Sequence, residues 1–310
     1  MSITPSSSRR VFRPFGAHYL VDTDDRRAFD ACAHAIARYP ANAGVQGTYQ
    51  LTVRTGRDAA NDPAWPATSV SHRPGRLELH CGSATLTTDA GAGTAEALLP
   101  PSLLAVPDAV RMVVEGALSS LLIDGGQLHA LHAGLVQYRG RSLLLRGPSG
   151  AGKSTLTYAC LRAGFQVISD DWVYAVAGQP ATWLWGYPWR IFLVPEATER
   201  FVELSGRPPV LHPGADVLKV PIEPSVRQRR RGARPDAVVL LDPDARLELR
   251  QVDPAEAAER FWGPALPTER RDLPSEWVDA LLDRPCYVLQ RGTEPQRAVE
   301  LLAELARAAS

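Results

Sequence analysis

The chain is poor in lysine. Of its 34 basic residues only Lys153 and Lys219 are lysines, the others being arginines. A coding bias toward arginine and alanine accounts for the general scarcity. A lysine that persists inside a glycine-rich stretch, as Lys153 does, therefore points to chemistry. An excess of one charge is also missing. The 34 basic residues cancel 34 acidic ones, which removes the bulk electrostatic reason to expect nucleic acid or an anionic membrane as a partner. The four cysteines, Cys32, Cys81, Cys160 and Cys286, form no CxxC pair. That argues against a zinc site or a disulfide framework and predicts free thiols in a reducing cytoplasm. No run of about 18 apolar residues occurs, so no transmembrane helix is predicted. The first twenty residues are partly basic but lack the apolar stretch of a signal peptide. An LSGGQ-like transporter signature is absent as well.

What is present suffices for two domains: 310 residues, 45% of them hydrophobic. Residues 1–10 are polar and read as a flexible start. Within 27–38, Phe29, Cys32, Ala33 and Ile36 fall at helical spacing. TYQLTVRT (48–55) and RLELHC (76–81) alternate, with Tyr49, Leu51, Val53 on one face and Leu77, Leu79, Cys81 on the other strand's equivalent, predicting half-buried antiparallel strands. Residues 57–75 and 89–95, rich in Gly, Pro, Ala and Asp, read as loops. From Pro107 to Leu122, Val110, Val113, Val114, Ala117, Leu118 and Leu121 recur at helical spacing until Gly125-Gly126 stops the helix. A domain boundary falls here. Residues 1–125 read as a smaller N-terminal α+β domain, and 126–310 as a second, larger domain.

The second domain opens with LHAGLVQYRGRSLLLRG, read as strand, turn at Arg139-Gly140, strand and glycine loop. STLTYACLRAG is the next helix, FQVISDDWVYAV a further strand, and EATERFVELSG a helix ending on Gly206. DAVVLLD (236–242) reads as a buried strand, and PAEAAERFW, SEWVDALL and PQRAVELLAELARAA as helices.

Gly147-x4-Gly152-Lys153-Ser154 satisfies G-x-x-x-x-G-K-[ST] between an apolar strand and a helix, the context this pattern requires. Glycines let backbone N–H groups turn inward around phosphate oxygens, and the following helix points its positive end at them. Gly147, Ser149, Gly150, Ala151, Gly152, Lys153, Ser154 and Thr155 are thus the candidate nucleotide contacts. Lys153 can meet the β- and γ-phosphates, and Ser154 can ligate Mg2+. Two acidic partners compete. Asp242 ends an ordinary apolar strand and is followed by Pro243. Asp170-Asp171 begins 17 residues after Lys153, room for one helix and a return along the adjacent strand. Two neighbouring carboxylates beside a Mg–nucleotide can divide labour, one holding metal and one taking a proton.

The stretch HAGLVQYRGRSLLLRGPSGAGKSTLTYACLRAGFQVISDD resembles the HPr kinase/phosphorylase family. His132 stands fifteen residues before Gly147, and Asp170-Asp171 stand 23 and 24 after it, intervals similar to that family's. The resemblance covers about 132–175 and is faint toward the C-terminus. Phosphoenolpyruvate carboxykinases share the nucleotide core. The resemblance implies an α/β fold with a P-loop kinase core of the HPr kinase/PEP carboxykinase type. It implies ATP and Mg2+ as cofactors, Asp170 as general base, Asp171 on magnesium and His132 beside the base, tuning its charge. The implied acceptor is a serine hydroxyl of a peptide or protein, with a homo-oligomer among the options for assembly. Thr155 replaces the acidic residue usual in the family, and the long glycine-containing segment tied to its reverse reaction is absent. A divergent branch phosphorylates a serine of lasso-peptide precursors and fits the chain's size. The competing reading is a regulatory P-loop ATPase that hydrolyses without transfer; a small-molecule hydroxyl acceptor is a variant of the kinase reading.

Three weaker signals remain. Trp183, Trp185, Tyr187 and Trp189 alternate along a predicted strand. The plain reading is an aromatic core face, and the functional one a platform for a peptide or adenine, with Arg190 neutralising phosphate charge. Lys219, in LKVPIEPS, resembles the family's acceptor-approaching loop. RQRRRGAR (227–234) reads as a solvated loop, or as an attractor for an acidic peptide.

Overall fold

The computed structural model describes residues 8–57, 68–179, 183–187, 190–212, 217–244 and 246–308. The fold is mixed α/β and divides into two units, Met1–Leu128 with Leu211–Leu218, and His129–Val210 with Lys219–Ser310. The assignment of Leu211–Leu218 to the first unit departs from the predicted single boundary. That segment is too short to show a periodicity of its own.

In the first unit β1 (Ser8–Phe12) pairs antiparallel with β2 (His18–Thr23), so the predicted flexible start is a strand from Ser8 onward. Residues 1–7 lie outside the described residues. α1 (Arg26–Ile36) is capped by Asp25, whose carboxylate accepts the N–H groups of Arg27 and Ala28. β3 (Thr48–Thr55) buries Tyr49, Leu51 and Val53, as its alternation predicts. It is nevertheless parallel to both neighbours, β2 and β7. The α1 crossover returns the chain to the same end of the sheet, which the local alternation does not reveal. β4 (Thr68–Arg73), β5 (Arg76–Cys81), β6 (Ala84–Asp89) and β7 (Thr94–Leu99) then form an antiparallel meander, in the order β1-β2-β3-β7-β6-β5-β4. β4 lies in a stretch read as loop. It is an exposed edge strand whose sequence, TSVSHR, has no buried face to betray it. α2 (Pro101–Leu104) and α3 (Pro107–Ser119) follow, and α3 packs against α1.

From Leu128 the elements are β8 (Leu128–His132), β9 (Gly134–Tyr138), β10 (Arg141–Arg146), α4 (Lys153–Arg162), β11 (Gln166–Ser169), β12 (Trp172–Val176), β13 (Leu184–Gly186), β14 (Ile191–Leu193), α5 (Pro195–Thr198), β15 (Val210–His212), β16 (Val217–Ile222), β17 (Gly232–Ala233), β18 (Ala237–Asp242), β19 (Leu247–Gln251), α6 (Pro254–Trp262), α7 (Pro267–Asp272), α8 (Ser275–Leu282), β20 (Cys286–Arg291) and α9 (Pro295–Ala308). A six-stranded sheet runs β11-β9-β10-β18-β20-β19. β10, β18 and β20 are parallel, and β9 is antiparallel to both β10 and β11. The β9–β10 turn places Arg139 at φ 49° and Gly140 at φ 87°, the left-handed pair a tight hairpin needs.

Successive residues of β10 feed opposite cores. Leu143 and Leu145 pack with Leu156 and Cys160 of α4 and Leu302 of α9, while Leu144 packs with Phe261 of α6 and Trp277 of α8. A sheet covered on both faces explains why LLL and VVLL read as unbroken apolar runs. Two predicted elements are broken. FQVISDDWVYAV splits at Asp170-Asp171 into β11 and β12, which belong to different sheets. EATERFVELSG is helical only over α5, with one further turn at Val202–Leu204. Between them Phe201 leaves helical register to meet Tyr158 edge-on, ring centroids 4.7 Å apart. Among the described residues no helix is long and apolar enough to cross a membrane, and the four cysteines are free and buried.

Candidate active site

Strand direction gathers the candidate residues. β10 and β11 are each antiparallel to β9 and so run the same way. The glycine loop leaves the C-terminal end of β10, and Asp170 follows the C-terminal end of β11. β9 runs oppositely, so its start, with His132 just before it, lies at that same edge. Leu145 registers with Gly134, and Ser169 with Leu135. The prediction that Asp170 follows the strand adjacent to β10 is corrected in detail. β9 lies between them, and His132, the last residue of β8, stands just before its start.

In the loop, Gly150 and Gly152 have φ of 79° and 89°. A side chain at Gly152 is excluded twice, by this φ and by Arg291, whose Nε lies 2.9 Å from where a Cβ would sit. Arg291 also donates from Nε to the Ala151 carbonyl at 2.8 Å. Lys153 opens α4 and is buried. Its Nζ donates to the carbonyls of Gly147 at 2.8 Å and Pro148 at 3.1 Å. Burial pulls the Lys153 pKa below the usual lysine range, against the attraction of Asp171.

Asp170 is 8% exposed. The nearby Ser154 hydroxyl and the Lys219 charge act to lower its pKa, and the Phe192 N–H approaches Oδ2 at 3.4 Å. Burial, reinforced by the Asp171 charge, outweighs these and pushes Asp170 up to about 7. Asp171 is more open, and its Oδ1 lies 3.1 Å from His132 Nε2. His132 thus pairs with Asp171 and not, as the resemblance implied, with Asp170. The reason is local: the chain reverses between β11 and β12, so adjacent carboxylates face different neighbours.

His132 is held by groups the sequence reading missed. Its N–H donates to Glu269 Oε1 at 2.7 Å, and its carbonyl accepts from Arg146 Nη1 at 2.7 Å. Arg146 and Glu269 are themselves paired at 2.7 Å, both side chains 1% exposed, with the guanidinium 5.0 Å from the Phe261 ring centre. One signal was available. Arg146 is a charged residue ending the buried strand LLL, and such a position needs a partner. Nothing marked Glu269, on the short helix α7, as that partner.

Lys219, on β16, and Ser154 join the Asp170 surroundings, whereas Ser149 and Gly150 are exposed in the loop. Asp242 ends β18 at the same sheet edge but binds Arg260 at 3.1 Å. Of the aromatic series, Trp183 is 43% exposed while Leu184, facing the other way, is buried. The aromatic face is therefore the open face of its sheet, a correction to the core reading. Trp189 lies outside the described residues, and Arg190 immediately precedes β14.

Among the described residues no three or more His, Cys, Asp or Glu side chains cluster to hold a metal unaided. The residues fit Mg2+ bound with a nucleotide, because that ion keeps waters and takes one or two carboxylates together with phosphate oxygens. Ser154 and the Asp170-Asp171 pair are the donors in place, beside a loop with left-handed glycines at 150 and 152.

No protein-family model matches the chain, and no curated protein matches it. Among solved structures, the Hpr(Ser) kinase/phosphatase from Coxiella burnetii is similar over 58% of this chain and 89% of that chain, at 16% identity and a TM-score of 0.29.

Proposed function

We propose that the chain is a Mg-ATP-dependent kinase that transfers the γ-phosphoryl group to a hydroxyl, a serine of a peptide or protein. One observation carries this reading: Ser154, in the glycine loop, lies near enough to the buried Asp170 carboxylate to act on its pKa, with His132 and Asp171 paired beside it. A phosphate-binding loop in contact with a carboxylate of raised pKa is what proton removal from an attacking alcohol requires near neutral pH.

The loop N–H groups and the start of α4 hold the phosphates, with Lys153 exchanging its two carbonyl contacts for phosphate oxygens. Ser154 and Asp171 would be the protein donors to a magnesium ion, which when bound would neutralise charge at the phosphates. His132 fixes the Asp171 carboxylate by hydrogen bonding, as partners of metal-binding carboxylates do. Asp170 takes the proton of the acceptor hydroxyl as its oxygen attacks phosphorus and the bond to the leaving ADP breaks. Positioning and charge neutralisation supply most of the acceleration. The engagement of Asp242 by Arg260 supports this reading over an ATPase that uses Asp242.

The Ser154–Asp170 contact also favours a second division of labour, with Asp170 on the metal and Asp171, steered by His132, as base. Asp170→Asn and Asp171→Asn, titrated with magnesium, separate the two: the variant with a raised magnesium requirement has lost the metal-side carboxylate. The primary test is calorimetry with Mg-ATP on Lys153→Ala. Affinity should fall by roughly 10-fold or more, the loss of a charge-assisted contact. Unchanged affinity would overturn the nucleotide site, and with it the kinase.

A further inference from the structure

The four-stranded sheet β17-β13-β12-β8 has one face on a core and one face open. Val173, Ala175, Leu184 and Ala233 fill the core side. Tyr174 registers with Trp185, and Trp185 with Gly232, so these three share the opposite face. Trp183 and Trp172, two residues along their strands, extend it. The indoles of Trp183 and Trp185 lie 5.7 Å apart, seated over Gly232, where a Cβ would meet Trp183 Nε1 at 2.5 Å.

This face is continuous with the candidate active site. Trp172 follows Asp171 directly, and its ring centre lies 5.3 Å from that of His132. Its other border is the arginine run. The Arg230 N–H bonds the Val167 carbonyl of β11 at 2.9 Å, and the Arg231 carbonyl accepts the Gly186 N–H of β13 at 2.9 Å. The run is therefore strapped beside the strand that ends on Asp170. Arg229 is paired with Glu223. Arg230, Arg231 and Arg234 are exposed, and among the described residues no carboxylate pairs with them.

We propose that this aromatic face and its arginine border dock an acidic segment of the acceptor polypeptide, next to the serine that receives phosphate. The proposal rests on the kinase reading and names the substrate class that reading leaves open. Unpaired guanidinium groups beside partly open indoles complement carboxylates and apolar side chains of one extended segment. The same residue types serve single-stranded nucleic acid. Here, however, the surface runs from the arginines to the Asp170 and Asp171 carboxylates: a phosphodiester chain, charged at every residue, is repelled at that end, whereas a peptide can set its carboxylates on the arginines and an uncharged serine at the site.

The test uses the full chain and three fluorescently labelled probes. These are a serine peptide flanked by glutamates, the same peptide with lysines in their place, and a short oligouridine. Binding is read by anisotropy without ATP, and transfer by labelled phosphate in a separate assay. The glutamate peptide should bind best, weaken as salt rises, and lose roughly 10-fold or more in affinity with the paired reversal Arg230→Glu/Arg231→Glu. Trp185→Ala should weaken binding by about 5-fold or more, as loss of an aromatic anchor does, with Mg-ATP affinity unchanged in both. Should the reversal fail to fold, Arg230→Ala/Arg231→Ala takes its place, with the same direction expected. Equal binding of the two peptides, preference for oligouridine, or unchanged affinity in the arginine variants would overturn the surface. Docking without transfer would uphold the surface and overturn the kinase, so the two failures are distinct.

Discussion

Two strands of the same sheet end on aspartate at the same edge, yet they make different sites. β18 ends on Asp242, which meets Arg260 at 3.1 Å and is partly open. β11 leads into Asp170, which is buried, lies beside a second carboxylate and is pushed up to about 7. In sequence, VVLLD and VISDD look like two versions of one signal. The difference lies in what surrounds each carboxylate. An arginine on α6 settles Asp242 as an ordinary partly exposed ion pair, whereas burial beside Asp171 raises the pKa of Asp170.

The comparison is broken most directly in a phosphate-transfer assay. Asp170→Asn should cut transfer by roughly 10²-fold or more, the size of a general-base contribution, while leaving Mg-ATP binding nearly intact. Asp242→Asn should change transfer by no more than about 2-fold, since its partner is a surface-type ion pair. The reverse pattern would favour a hydrolysing ATPase built on Asp242.

Stability gives the next largest contrast. Asp170 has a folded-state pKa of about 7 against 3.8 for the unconstrained group. The folded chain therefore holds this proton more tightly than the unfolded chain does. The contribution to stability is complete below about pH 4 and is lost as pH rises to 7. In metal-free buffer at pH 8, Asp170→Asn should thus be more stable than the parent by about 2–4 kcal/mol, the advantage disappearing near pH 4. Denaturant titrations at the two pH values check this. A variant less stable than the parent at pH 8 would mean that the carboxylate is well satisfied, as Asp242 is.

A smaller effect sharpens the division within the pair. Asp171→Asn should raise the magnesium concentration for half-maximal transfer by about 3-fold or more, since the ion loses an anionic donor. Smallest of all, Arg260→Ala should cost at most about 1 kcal/mol, the range of partly exposed ion pairs, and should leave transfer unchanged.

Much of the site was legible because its signals are local. Gly147 to Ser154 must adopt one backbone path whatever surrounds it, and the helix after it follows from the same stretch. The Asp170-Asp171 pair and His132 were legible as residues but not as neighbours. Their pairing depends on β9 lying between β10 and β11, and on the chain reversing at the pair itself, which turned one predicted strand into two. Long-range partners were invisible. Glu269, Arg291 and the Phe192 N–H reach the site from distant elements whose own patterns say nothing of it. The same holds for β3, where alternation identified the buried face correctly but not the direction of its neighbours. The aromatic series was placed on a strand and its side chains on one face, but composition alone does not say which face the core covers.

The Arg146–Glu269 pair joins residues 123 positions apart, and Glu269 reaches the His132 N–H across 137. The glycine loop and α4 also lean on the far end of the chain, through Arg291 on the Ala151 carbonyl and α9 packed against α4, and the anchor of His132 waits on α7. Contacts of such long separation close late, after local ones have formed. During synthesis or refolding, the loop and His132 should therefore both settle only once the C-terminal elements are in place, and a chain ending ahead of α7 would leave His132 unmoored and the Ala151 carbonyl without Arg291. The buried ion pair acts in time as well as in space: it leaves His132 unanchored until the C-terminal helices have docked.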